Sequence, residues 1–201
     1  MALPQPQYDY DEPVYYTEDE YLDIERSSDE KHEYVHGEIV AMTGGSPNHN
    51  QISGNVITAL NVALRDTPCI VYTGDMQVKL KRHRTYRYPD VAVVCDEPQI
   101  TDDNPGSLLN PVMLVEVLSE STQITDRGDK LREYTGMDSV QAYLLVAQDE
   151  PRVEVYLRQE SGWLYHNVTG LDSDVTLTPV NITLPLAEVY RKVTFERESD
   201  S

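Results

Sequence analysis

Long apolar runs are missing from this 201-residue chain. Nowhere do about 18 consecutive apolar residues occur, the length a membrane-spanning helix requires. The opening stretch MALPQPQYDYDEP also lacks the basic and apolar regions of a secretory signal, so the expected compartment is the cytoplasm, with no membrane contact. Cysteine is scarce. Cys69 and Cys95 lie far apart in the apolar stretches PCIVY and VAVVCDE without CxxC spacing, which argues against a zinc site or disulfide and predicts two buried free thiols. Basic residues are few as well: 16 Lys and Arg face 35 Asp and Glu, for a formal charge of −19. Such a balance excludes a surface that attracts nucleic acid everywhere, because phosphate binding relies on clustered Lys and Arg. There is no internal repeat and no coiled-coil heptad.

The charge is uneven. Residues 1–30 hold ten acids against Arg26 alone, so about half the acidic excess sits in a leader. The bases cluster in KLKRHRTYR, where Lys79, Lys81, Arg82, Arg84 and Arg87 fall within nine positions. Two readings stand side by side, a solvated hairpin tip and a DNA-contacting edge. With 39% apolar residues the chain can bury one substantial core. The expected organisation is an acidic, Tyr- and Pro-rich arm over 1–16, one domain over 17–195 and a tail over 196–201.

Thr17 and Glu20 have capping-box spacing ahead of Tyr21, Leu22 and Ile24, predicting a short helix. HEYVHGEIVAM reads as a hairpin turning at His36 and Gly37. Ser46 followed by Pro47 is a helix start, and Ile52, Val56, Leu60 and Leu64 repeat every four residues to about Arg65, so one helix face is buried. Strand-like runs follow: CIVYT, MQVKL, YPDVAVV and VMLVEVLS, then a helix from Thr125 to about Tyr134, then AYLLVA, VEVYLR and GWLYHNV. LAEVYRKV suggests a last helix. Uninterrupted apolar strands point to a mixed α/β sheet covered on both faces.

One carboxylate interrupts that pattern. Glu116 stands among Leu114, Val115, Val117 and Leu118, where an unpaired charge would cost several kcal/mol as a rough figure. Asp90 begins the preceding long strand. If those strands are neighbours, the two carboxylates converge, and a hard cation such as Mg²⁺ would hold them together through oxygen ligation. The alternative is that Glu116 pairs with an Arg or Lys, or lies on an open sheet edge.

The ordered series EYVHGEIVAM, SPNHNQISGNV, YPDVAVV, LVEVLSEST, DRGDK, YLLV and VEVY, spanning Tyr21 to Val193, resembles a large bacterial family of the PD-(D/E)XK, restriction-endonuclease-like superfamily. The resemblance implies an αβββαβ core with additional C-terminal strands and a Mg²⁺- or Mn²⁺-dependent DNA endonuclease. The motif aspartate falls on Asp90 and the motif glutamate on Glu116, both as metal ligands. The catalytic lysine expected two residues after the glutamate is replaced by Leu118, and Lys130 on the following helix is the candidate substitute. Its other reading is an i, i+4 pair with Asp126.

Further residues are candidate auxiliaries: His49 in the first turn of the Ser46 helix, Glu33 and Glu38 in the hairpin, and Gln77 on the strand preceding Asp90. Asp75 is a weaker candidate. Each has a plain reading as a helix-start or surface residue. Ser119, Ser121 and Thr122 either contact phosphate or cap the next helix. A homodimer would join two basic stripes on DNA. The competing functions are a catalytically silent scaffold that kept the fold without the lysine, and a binding module acting through the acidic arm.

Overall fold

Thr17 starts the first helix as its sequence requires. Its hydroxyl accepts from the Glu20 N–H at 3.2 Å while Glu20 Oε2 accepts from the Thr17 N–H at 2.8 Å, closing a reciprocal capping box ahead of α1, Glu18–Ser27. The computed structural model describes residues 14–103 and 106–195. Most of the acidic arm and all of the tail expected from the sequence therefore lie outside the described residues. Residues 14–16 do not hang free, because the Tyr16 N–H donates to Gly37 O at 2.7 Å.

Strands β1, His32–Val35, and β2, Glu38–Ala41, pair antiparallel through a tight turn in which His36 and Gly37 both have positive φ, 52° and 99°. Helix α2, Pro47–Ala63, follows with Ser46 as its N-cap. The basic run then folds as a hairpin of β4, Val78–Leu80, and β5, Thr85–Arg87, after the short strand β3, Ile70–Thr73. A four-stranded sheet in the order β2-β1-β5-β4 results. Tyr21 and Tyr34, stacked on each other, and Tyr86, tilted against them, pack it against α1.

The larger sheet has the order β10-β9-β8-β7-β6-β3. Its central strands are β6, Val91–Val94; β7, Met113–Val117; β8, Ala142–Val146; and β9, Arg152–Gln159, with β10, Gly162–Thr169, at one edge. Among the described strands only β7 and β8 pair parallel. Their crossover is the helical stretch formed by α3, Gln123–Thr125, a π-helical turn, Asp126–Lys130, and α4, Leu131–Thr135. Strand alternation sorts the core. Val91, Val93, Val115 and Val117 face Ile52, Val56 and Leu60 of α2, whereas Ala92, Leu114 and Leu118 face Tyr134 of α4. The hairpin of β11, Asp174–Leu177, and β12, Ile182–Pro185, together with α5, Leu186–Val189, packs on the α2 side. This is the mixed α/β, restriction-endonuclease-like architecture expected from the sequence.

The cysteines depart from expectation. The antiparallel register that sets Ile70 opposite Val94 continues one step and sets Cys69 opposite Cys95, with Cα atoms 3.8 Å apart and the sulfurs bonded. Neither is fully buried. A linear separation of 26 residues concealed a cross-strand pair. The prediction that α2 anchors the large sheet can be checked directly: Ile52→Ala, a fully buried truncation, is expected to cost about 2–5 kcal/mol in urea denaturation.

Candidate active site

Asp90 stands immediately before β6, and Pro89 ahead of it disfavours helical backbone at Tyr88. The β6–β7 register, Val91 opposite Val115, carries Asp90 to the end of β7 beside Glu116. There Asp90 Oδ2 accepts from the Val117 N–H at 2.6 Å, and Oδ1 lies 2.8 Å from His49 Nε2. The first turn of α2 fixes His49, whose N–H donates to the Ser46 hydroxyl at 3.0 Å. Hydrogen bonding to Asp90 raises the His49 pKa against the opposing effect of burial, favouring an imidazolium that donates to the carboxylate.

Glu116 points to the other face of the sheet, toward the π-helical turn. Its Oε1 accepts from Lys130 Nζ at 3.0 Å and from the Tyr134 hydroxyl at 2.9 Å. Lys130 Nζ also lies 3.1 Å from Asp126 Oδ1 and 3.7 Å from Glu33 Oε1. The helical pair with Asp126 and the approach to Glu116 thus coexist. Burial, and the like charges of Asp126, Asp90 and Glu33, push the Glu116 carboxyl up to about 8 against the pull of the Lys130 ammonium. Burial works against the charge of Lys130 too, but Glu116, Glu33 and Asp126 outweigh it and hold the lysine protonated.

Both carboxylates and Lys130 line one groove of about 1080 Å³, together with Glu33, His49 and Ser119. Among the described residues no group of three or more His, Cys, Asp or Glu side chains is arranged to enclose a metal ion. The chemistry of Glu116 is nevertheless that of a ligand to a hard divalent cation. Glu116 Oε2 has no hydrogen bond among the described residues, negative charge around Glu116 exceeds the single ammonium, and Mg²⁺ takes one or two carboxylates and completes its shell with water and phosphate.

Other candidates fall elsewhere. Gln77 is buried and its amide is engaged: Nε2 donates to the hydroxyls of Tyr21 at 2.7 Å and Tyr88 at 3.0 Å, and Oε1 accepts from Ser107. Glu38 is exposed on β2 and does not line the groove; Asp75 pairs with Lys31 at the surface. The basic run also faces away. Lys79 pairs with Glu18 at 3.0 Å and Arg82 with Asp138 at 3.0 Å, while Lys81 and Arg84 are exposed outside the groove. Arg87 is buried, donating to Glu33 at 2.7 Å and to Glu133 at 3.0 Å. Hairpin geometry disperses side chains that linear counting grouped. Ser119, Ser121 and Thr122 line the groove but hydrogen-bond to one another.

Sequence reasoning missed Tyr134 and left Asp126 as a helix-surface partner. Both stand four residues from Lys130, the spacing that puts side chains on one helix face, so a search for polar partners around that lysine would have found them.

The chain has relatives among known proteins. The family model described as "Uma2: Putative restriction endonuclease" matches residues 18–187. Two Synechocystis relatives, the uncharacterized proteins slr1290 and sll1609, are 34% and 32% identical, over 88% and 81% of this chain and 92% and 93% of theirs. A crystal structure described as a putative nuclease belonging to DUF820, from Anabaena variabilis, superposes with a TM-score of 0.69 over 87% of this chain and 97% of its own. At 18% identity that likeness speaks to fold.

The raised Glu116 pKa carries a sign. A carboxyl whose pKa is higher folded than unfolded binds its proton more tightly in the folded state, so its contribution to stability falls as pH rises from 4.5 to about 8. In urea denaturation of the metal-free protein, the wild type is therefore expected to lose stability relative to Glu116→Gln as pH rises from about 4.5 to about 8, whatever the offset between the two at low pH.

Proposed function

This chain belongs to the Uma2 family, and on that premise we propose that it is a metal-dependent nuclease that hydrolyses phosphodiester bonds in DNA. One observation supports the reading: the β6–β7 register sets Asp90 opposite Glu116 where the two strands end, both side chains line one groove, and the Lys130 ammonium lies 3.0 Å from Glu116.

Asp90 and Glu116 would hold Mg²⁺ or Mn²⁺, which when bound supplies Lewis acidity toward the phosphate and a water of lowered pKa. The rest falls to the chain's own groups. His49 and the Val117 N–H hold the two oxygens of Asp90 in a fixed orientation. Tyr134 and Lys130 do the same for Glu116 through a single oxygen. Lys130 stays charged, and its ammonium can orient a water for in-line attack and offset charge developing on the phosphate oxygens. Leu118, at the position where related enzymes place a lysine, is packed with Leu114, Tyr134 and Tyr143 and contributes an apolar wall instead.

A catalytically silent scaffold is the competing reading, and it rests on Leu118. Lys130 weighs against it, since an ammonium is delivered to the same carboxylate from the next helix.

Asp90→Asn and Glu116→Gln are expected to weaken Mn²⁺ binding at least about tenfold by calorimetry, whereas Lys130→Ala keeps Mn²⁺ binding and lowers single-turnover DNA cleavage about 10²–10³-fold. Undiminished cleavage by the lysine variant would remove Lys130 from the mechanism. Because Glu116 must lose its proton to bind a cation, Mn²⁺ affinity is expected to rise with pH until about 8 and then level off, with proton release visible as a buffer-dependent calorimetric enthalpy.

A further inference from the structure

A groove that accepts a phosphodiester needs cations on its walls besides the one buried at Glu116. The hairpin that concentrates bases in the sequence lies outside it. Two other arginines are inside. Arg127, on the π-helical turn three residues before Lys130, and Arg152, the first residue of β9, both line the groove, with 32% and 20% of their side chains exposed.

One buried carboxylate organises both. Glu154 Oε1 accepts from Arg127 Nε at 2.9 Å, from Arg127 Nη2 at 2.7 Å and from Arg152 Nη1 at 2.6 Å. Gln123 Oε1 takes Arg127 Nη1 at 2.9 Å, and Glu150 takes Arg152 Nε at 2.5 Å. The backbone of Arg152 is pinned on both sides, its N–H donating to the Tyr190 hydroxyl and its carbonyl accepting from it. A guanidinium has five N–H donors, so each arginine keeps donors with no acceptor among the described residues. Two planar forks anchored through their inner edges, with outer donors left over, make the pre-ordered geometry that suits phosphate oxygens.

We propose that Arg127 and Arg152, set by Glu154, form a clamp for backbone phosphates of the nucleic acid that enters the groove. The clamp rests on the nuclease reading and adds to it the place where the substrate is held apart from the reacting phosphate. Glu154 acts as a positioning residue: it is 4% exposed and is engaged by the two arginines.

The test uses the full chain, with fluorescent duplex and single-stranded oligonucleotides, and Ca²⁺ in place of Mg²⁺ to suppress turnover. Arg127→Gln and Arg152→Gln are each expected to weaken duplex binding about tenfold and to lower the slope of log affinity against log salt by about 0.9. Arg127→Lys and Arg152→Lys, which keep a charge against Glu154 and guard against misfolding, are expected to keep the slope and lose affinity. Mn²⁺ affinity should be unchanged in all four, since none touches Asp90 or Glu116. Wild-type binding of DNA with unaltered affinity and slope in the Gln variants would overturn the clamp and leave the nuclease reading standing. Absence of DNA binding by the wild type would instead overturn the nuclease reading. Inorganic phosphate followed by ³¹P NMR then decides the clamp: binding lost in the Gln variants supports it, and no binding by the wild type overturns it.

Discussion

Everything around the groove depends on the burial of Lys130 among Glu116, Asp126 and Glu33. An ammonium removed from water costs several kcal/mol, of rough order, unless opposite charges surround it, and the same holds for each carboxylate left without it. Lys130 therefore ties three elements together: β7 through Glu116, the π-helical turn through Asp126, and β1 through Glu33. Arg87 extends the tie from Glu33 to Glu133 on α4. Through these two cations the small sheet is held against the crossover helix of the large one.

The network is not neutral. Glu33, Glu116, Asp126 and Glu133 outnumber Lys130 and Arg87, and burial, with the nearby like charges of Asp126, Asp90 and Glu33, raises the Glu116 pKa. A sequence selected for stability alone would have placed an apolar residue in the middle of β7. The apolar packing on both faces of that strand tolerates the charge. On the proposed reading, the surplus negative charge around Glu116 suits a cation, and the outer donors of the two arginines on Glu154 suit phosphate oxygens.

On the proposed reading, this division reconciles a formal charge of −19 with a phosphate-bearing substrate. Net charge governs encounter at long range, where salt screens it. Contact depends on a few cations with fixed geometry, and these are carried by β9 and the helix after β7. The abundant bases of the β4–β5 hairpin are neutralised locally or turned elsewhere.

Much of this molecule was legible in one dimension, because local rules act over a few residues. The capping box at Thr17, the turn at His36 and Gly37, the Ser46–Pro47 helix start and the apolar strands each depend on neighbours in the chain. The ordered motifs around Asp90 and Glu116 carried the resemblance that implied the restriction-endonuclease-like fold. What stayed hidden was long-range pairing. Strand register decided that Cys69 meets Cys95, and burial decided that Gln77 joins Tyr21 and Tyr88 and that Arg87 closes a core network. Nor could spacing alone bring Arg127 and Arg152 onto one oxygen of Glu154. The sequence by itself determined the elements and the residues able to carry chemistry. Only the tertiary structure decided which of those residues meet, because charges find their partners across the sheet rather than along the chain.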